Sequence, residues 1–246
     1  MCTVTYIPAS SGFYLTSSRD EQSTRPTLFP KQYSLNKQEI FFPKDEKAGG
    51  TWIAVNQNGR AACLLNGAFE KHLPTGNYSK SRGLILLESF SFPTIREFTE
   101  NITLKNIEPF TMLLLEFSLS EVYEFYEMRW DGEKKYTSKP SLDIPQIWSS
   151  ATLYDATTIK KRKQLFDTWI NEHTAIADKK IKDFHDHTHG LNPSEDILMK
   201  REGNLMTVSI SQINLINSQL CFNYHDVIQN KDESQKIVLN TLTKST

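Results

Sequence analysis

The order of segments in this chain predicts an α+β fold. Strand-like runs open and close the sequence, two short helices and further strands lie between, and one long amphipathic helix precedes the closing strands. No repeat, low-complexity stretch or linker interrupts that order, so residues 1–246 are read as one domain. Two sheets covered by helices fit such an arrangement.

Cys2–Ile7 is rich in β-branched residues and predicts a strand. Pro8–Gly12 predicts a turn and Phe13–Ser18 a second strand, which makes a hairpin. Ser23–Pro43 holds three prolines and little periodicity, and is expected to be a long ordered loop. Thr51–Val55 and Ala61–Leu65 flank Asn56-Gln57-Asn58-Gly59, a hairpin signal. His72–Ser81 is expected to be a loop, and Arg82–Phe90 and Pro93–Glu100 short helices. Phe110–Leu119, Val122–Trp130 and a stretch near Lys134–Thr137 are expected as strands. From Thr158 to about Asp183, Leu165, Trp169, Ile170, His173, Ile176 and Ala177 form one stripe at helical spacing. Met206–Ile213, Leu220–His225 and Lys236–Leu239 are the expected closing strands.

Composition excludes several classes of function. Hydrophobic residues are 38% and aromatic residues 11% of the 246, enough for a sizeable core. Mean hydropathy is −0.47, and runs such as Phe110–Phe117 are too short to cross a bilayer as a helix. A net charge of −1 lacks the basic footprint of a nucleic-acid binder. Cys2, Cys63 and Cys221 make neither a disulfide framework nor a zinc spacing. Met1–Ser10 shows no signal-peptide pattern, so the cytoplasm is the expected location.

Three features bear on chemistry. Loss of Met1 would give Cys2 both a thiol and a free α-amine, and an amine with a pKa of about 7.7–8.0 can take the thiol proton. Ser18-Arg19-Asp20-Glu21, followed by Arg25-Pro26, returns to the chain start if the first hairpin forms; a carboxylate there can hold an α-ammonium, and a guanidinium can fix a carboxylate. Gly49-Gly50-Thr51-Trp52 and the strand ending Asn66-Gly67 supply a close backbone approach and a side-chain amide able to donate to an oxyanion. Each feature alone also has an ordinary structural reading: a strand start, a charged turn, a hairpin end.

Together these residues resemble the NRDE family, also called the transport and Golgi organisation protein 2 family, of the N-terminal-nucleophile (Ntn) hydrolase superfamily. The name motif stands here as Ser18-Arg19-Asp20-Glu21, with serine in the first place. Ser81-Arg82-Gly83, Leu198–Glu202 and Thr207–Ile210 extend the resemblance. It implies a four-layer αββα sandwich. It also implies Cys2 as nucleophile, Arg19 and Asp20 beside it, Asn66 at the oxyanion position and Arg201 as a late-strand arginine. Arg25, Trp52 and Asn56 are the expected substrate contacts. Related acylases use a second asparagine; the nearest segment here, Trp148–Thr152, has none.

The expected activity is hydrolysis or acyl transfer at a non-peptide C–N bond, with a small-molecule amide or lipid-like ligand and no cofactor. The alternative is a non-catalytic carrier of a lipid, acyl-CoA or haem-like ligand. His185, His187 and His189 alternate and would share one face of a strand, as zinc ligands can, but they follow a helix and read more simply as its C-terminal histidines. Lys160–Lys163 reads as a solvated helix face, and Trp52, Trp130, Trp148 and Trp169 as core.

Overall fold

The structure, a computed structural model, describes residues 3–74, 76–119, 121–173 and 178–240. Cys2 lies outside the described residues.

The chain opens with β1 (Thr3–Ala9) and β2 (Gly12–Gln22), continues through β3 (Thr27–Leu35), β4 (Gln38–Asp45), β5 (Ile53–Asn56) and β6 (Arg60–Asn66), and reaches α1 (Arg82–Glu88) and α2 (Ile95–Asn101). It goes on through β7 (Phe110–Phe117), β8 (Val122–Trp130), β9 (Lys135–Ser138) and β10 (Gln146–Ser149) to α3 (Ala156–Glu172) and α4 (Asp178–Asp186). It closes with β11 (Leu205–Ile216), β12 (Gln219–Asp226) and β13 (Lys231–Ile237).

These strands make two antiparallel sheets, ordered β10-β1-β2-β11-β12-β13 and β3-β4-β5-β6-β7-β8-β9. Period-two alternation builds the layers. Val4, Tyr6, Phe13, Leu15 and Ile213 of the first sheet meet Ile53, Val55, Leu113 and Leu115 of the second in an inter-sheet core. The alternate residues of the second sheet, among them Ala62, Leu64, Met112 and Leu114, pack on Ile85, Leu86 and Phe98 of α1 and α2. Ile7 and Tyr14 pack outward on Phe166 and Trp169 of α3 and on Ile181 and Phe184 of α4. The result is the expected αββα sandwich.

Three of the helices begin on a side-chain cap. Ser81, Thr94 and Asp155 accept from the backbone N–H of Leu84, Glu97 and Thr158 at the starts of α1, α2 and α3.

Several expectations need correction. Ser23–Pro43 is not a loop: it holds β3 and most of β4, joined at Asn36 and Lys37, both with positive φ, as a twist-matched hairpin turn requires. Its prolines mislead because β3 is an edge strand and Pro30 sits where its register shifts. The last strand lies at Lys231–Ile237, a charged edge whose polarity hides its strand character. β10 carries no sequence signal of its own; it pairs with β1. The long helix is divided into α3 and α4, and Ile176 and Ala177 fall outside the described residues. The buried stripe of α3 is Thr158, Arg162, Phe166 and Trp169, so Arg162 is no solvated member of a basic face.

Candidate active site

A cavity of ≈ 210 Å³ opens at the edge of the inter-sheet layer, lined by Arg19, Arg25, Trp52 and Asn66 among others. The residues come from four elements. Arg19 is inward on β2, with its side chain 2% exposed. Its Nη2 donates to Asp45 Oδ2 at 2.8 Å and its Nη1 to Thr27 Oγ1 at 2.8 Å. The guanidinium lies over the Trp52 ring, 4.6 Å from its centroid, a cation–π contact strengthened by burial.

Asp45 ends β4 and organises this wall. Its Oδ2 also accepts from Arg25 Nε at 2.8 Å and its Oδ1 from Ala48 N at 2.8 Å. Burial pushes the Asp45 carboxyl up, but the Ala48 N–H, Arg25 and Arg19 outweigh it and hold the group below its ordinary value. Burial lowers the pKa of Arg19, opposed by Asp45; a guanidinium remains charged all the same.

The opposite wall begins where Gly50 meets Gly83 of α1. A Cβ added to Gly50 would lie 2.5 Å from the Gly83 carbonyl carbon, and one added to Gly83 2.6 Å from Thr51 O. Only two glycines permit this approach. It brings Arg82 to the cavity, where Nη2 pairs with Glu108 Oε2 at 3.0 Å. His72 reaches the other oxygen of Glu108 at 3.1 Å.

Asn66 ends β6 beside the start of β1. Thr3 pairs with Ser149 and with Ser18, and the adjoining Ser150 donates its hydroxyl to Asn66 O at 2.8 Å. Among the described residues, the side-chain Oδ1 of Asn66 and the indole Nε1 of Trp52 are buried without a hydrogen-bond partner. Such groups are costly unless something meets them.

The structure thus brings Arg19, Arg25, Trp52 and Asn66 together at one cavity. Asp20 faces the other side of β2, where it accepts from Tyr154 Oη at 3.0 Å and Thr207 Oγ1 at 2.6 Å. Arg201 does not line the cavity; it stands behind Tyr154, its guanidinium 5.2 Å from the ring centroid, and donates to Leu153 O and Ser194 O. Asn56 is at the far end of the β5–β6 hairpin from Asn66, and its Oδ1 accepts from Asn58 N and Arg60 N. It caps a turn and is removed from the cavity.

Sequence reasoning missed Asp45, Glu108 and Tyr154. Asp45 followed the supposed loop, and the other two carry no local pattern; only the fold brings them in. The other two cysteines are structural or peripheral. Cys63 is fully buried, and burial pushes its thiol up to about 12. Cys221 faces outward on β12.

The three alternating histidines share no strand face. His185 is buried in α4, with Nε2 2.9 Å from Thr5 Oγ1 and Nδ1 2.8 Å from Ser18 Oγ. His187 and His189 contact the backbone carbonyls of Asp183 and Phe184. Among the described residues, no group of three His, Cys, Asp or Glu side chains is placed to hold a metal ion.

Residues 1–235 match the family model described as Transport and Golgi organisation 2. No curated protein sequence matches. Among solved structures, a mutant of the conjugated bile acid hydrolase from Clostridium perfringens superposes with a TM-score of 0.58 at 10% identity, covering 96% of this chain and 92% of that one. The N-acylethanolamine-hydrolyzing acid amidase orthologue of Caenorhabditis elegans superposes with a TM-score of 0.52 at 10% identity, over 86% and 92% of the two chains. At such identities the likeness is one of fold alone. With the family model spanning nearly the whole length, this chain belongs to the Transport and Golgi organisation 2 family and has the Ntn-hydrolase fold.

Proposed function

We propose that the protein hydrolyses or transfers the acyl group of a small non-peptide amide, with Cys2 as nucleophile. The observation that supports this most is convergence at the start of β1. Thr3 lies opposite Ser18, the residue before Arg19, and opposite Ser149; Ser150 then holds Asn66. Cys2 is covalently one peptide unit, about 3.8 Å between Cα atoms, from Thr3. In this reading Cys2 serves the cavity where Arg19 and Asn66 meet.

In this reading Met1 is removed, and the α-amine of Cys2 takes its thiol proton. The thiolate attacks the amide carbonyl, and the Asn66 side chain donates to the resulting oxyanion. The tetrahedral adduct collapses, the C–N bond breaks, and the ammonium form of the terminal amine gives its proton to the leaving nitrogen. Water then cleaves the thioester, releasing the acid and restoring the thiol. Arg19, fixed by Asp45, Thr27 and Trp52, supplies positive charge to the site; Asp20, held by Tyr154 and Thr207, supports the strand end that carries the nucleophile.

The second reading is an Ntn-fold binding protein without turnover. Trp148–Thr152 has no asparagine, and Ser150 is engaged with Asn66 O rather than presented to a substrate.

Intact mass of the protein expressed in cells without an N-terminal tag separates the two. Loss of one methionine is the result expected of the hydrolase, followed by acylation of Cys2 by activated amide and lactone probes. Retention of Met1 would rule out the terminal-amine mechanism and leave the binding protein.

A further inference from the structure

The geometry points to a compact amide bearing an anionic group, not a long acyl chain, as the ligand of the cavity at Arg19 and Asn66. This rests on the reading of that cavity as the reacting site. Size is the first argument. A cavity of ≈ 210 Å³ lies below the roughly 300–1,000 Å³ of pockets that hold drug-sized ligands.

The walls are the second argument. Three arginines, Arg19, Arg25 and Arg82, and three carboxylates, Glu21, Asp45 and Glu108, line it. Apart from the Trp52 ring and the methyl of Ala48, almost no apolar side chain faces in. A buried methylene is worth about 0.8 kcal/mol only where it leaves water for apolar surroundings. A long chain gains little of that here.

The third argument is what the arginines leave unused. A guanidinium has five N–H donors. Arg25 uses one in a hydrogen bond, to Asp45, and meets Glu21 only at 3.5 Å, while its side chain is 31% exposed. Arg82 is ion-paired with Glu108 and donates to Pro109 O. Among the described residues the remaining N–H groups of both have no acceptor, and they lie on the same cavity. A carboxylate or phosphate accepts from such groups in pairs. Alongside them stand one buried donor and one buried acceptor without partners among the described residues, Trp52 Nε1 and Asn66 Oδ1. An amide carries the complementary pair, one acceptor and one donor.

Binding to the Cys2→Ala protein, followed by calorimetry and thermal shift, tests this without requiring turnover. N-acetylglycine is expected to bind at least about tenfold more tightly than the uncharged N-acetylglycinamide, the fold-change of one good charge-assisted contact. N-lauroylglycine should bind no better than N-acetylglycine. Arg25→Gln should remove the preference for the charged probe, and Arg82→Lys should reduce it while keeping the Glu108 pair. Equal affinity for the charged and uncharged probes, tighter binding of the lauroyl compound, or no binding of N-acetylglycine at millimolar concentration would overturn the assignment. Binding of N-acetylglycine that survives in a wild-type protein releasing no glycine would uphold the ligand class and remove only the hydrolase reading.

Discussion

The two faces of β2 carry polar clusters of opposite kind. On the inner face, Arg19 joins Asp45, Arg25 and Trp52 at a wall open to a cavity, with charges on both sides and buried polar atoms unmet. On the outer face, Ser18 and Thr5 close on His185, while Asp20 closes on Tyr154 and Thr207. The guanidinium of Arg162 is 4.0 Å from the Tyr154 ring centroid. Among the described residues, Trp52 Nε1 and Asn66 Oδ1 of the inner cluster lack a hydrogen-bond partner, and so does Arg162 Nε on the outer side, whereas His185 and Asp20 each find theirs within the protein. Adjacent residues of one motif, Ser18 to Asp20, are thus divided by strand alternation between fixing the fold and lining the cavity.

The strongest way to break this division is at the proposed nucleophile. Cys2→Ala is expected to abolish turnover of any confirmed amide substrate, a loss on the order of 10⁴–10⁶ if catalytic groups act as a unit as in other acyl-transfer enzymes. Full activity in that variant would end the inner-face mechanism. Asn66→Ala is the next largest, with turnover down by about 10²–10³ and little change in KM, the sign of an oxyanion donor. A rise in KM with unchanged turnover would make Asn66 a ground-state contact instead.

The outer cluster is tested through stability. His185→Ala leaves the hydroxyls of Thr5 and Ser18 without their partner and opens a void, at a cost of about 2–4 kcal/mol in denaturant unfolding. The native protein has a pH signature from the same residue. Burial, then Arg162, holds the His185 imidazole down to about 3, against 6.5 for the free group. The unfolded chain binds the proton first. The contribution of His185 is therefore complete above pH 6.5 and lost as pH falls toward about 3, at about 1.4 kcal/mol per pH unit. His185→Gln should flatten stability against pH between those limits. An unchanged slope would show that His185 is not the group titrating.

How much of this was legible in the sequence follows the same division. The inner face announced itself in runs: Arg-Asp-Glu, Gly-Gly-Thr-Trp and a strand ending Asn-Gly are contiguous, and the family resemblance rested on them. Much of the strand and helix order could be read from periodicity, but β3, β4 and β10 could not, and the two-sheet sandwich was implied by the family resemblance. The partners could not. Asp45 meets Arg19 across 26 positions and Tyr154 meets Asp20 across 134, and no local pattern records a contact made only by the closed fold. His185 was expected near a helix C-terminus and stands in the last turn of α4, but its burial was not legible for a related reason: only the fold turns this one of the three histidines inward against Thr5 and Ser18. Edge strands were the other failure, because their polar, proline-bearing sequences answer to solvent rather than to a core.

Asn56 is the smallest test and the one that sharpens the boundary of the site. The sequence put it with Trp52 as a substrate contact, and the fold carries it to the other end of the hairpin. There its Oδ1 accepts from Asn58 N at 3.2 Å and Arg60 N at 2.9 Å, holding the turn in which Gly59 has positive φ. Asn56→Ala removes both acceptor contacts, so unfolding free energy should fall by about 1 kcal/mol, the typical worth of a lost cap. Turnover and KM should stay at wild-type values, because the β5–β6 pairing and the Trp52-to-Asn66 end are untouched. Asn56→Asp keeps the acceptor and should recover most of the lost stability. A change in KM without a change in stability would return Asn56 to the substrate side of the molecule, and with it the wider site that the sequence alone suggested.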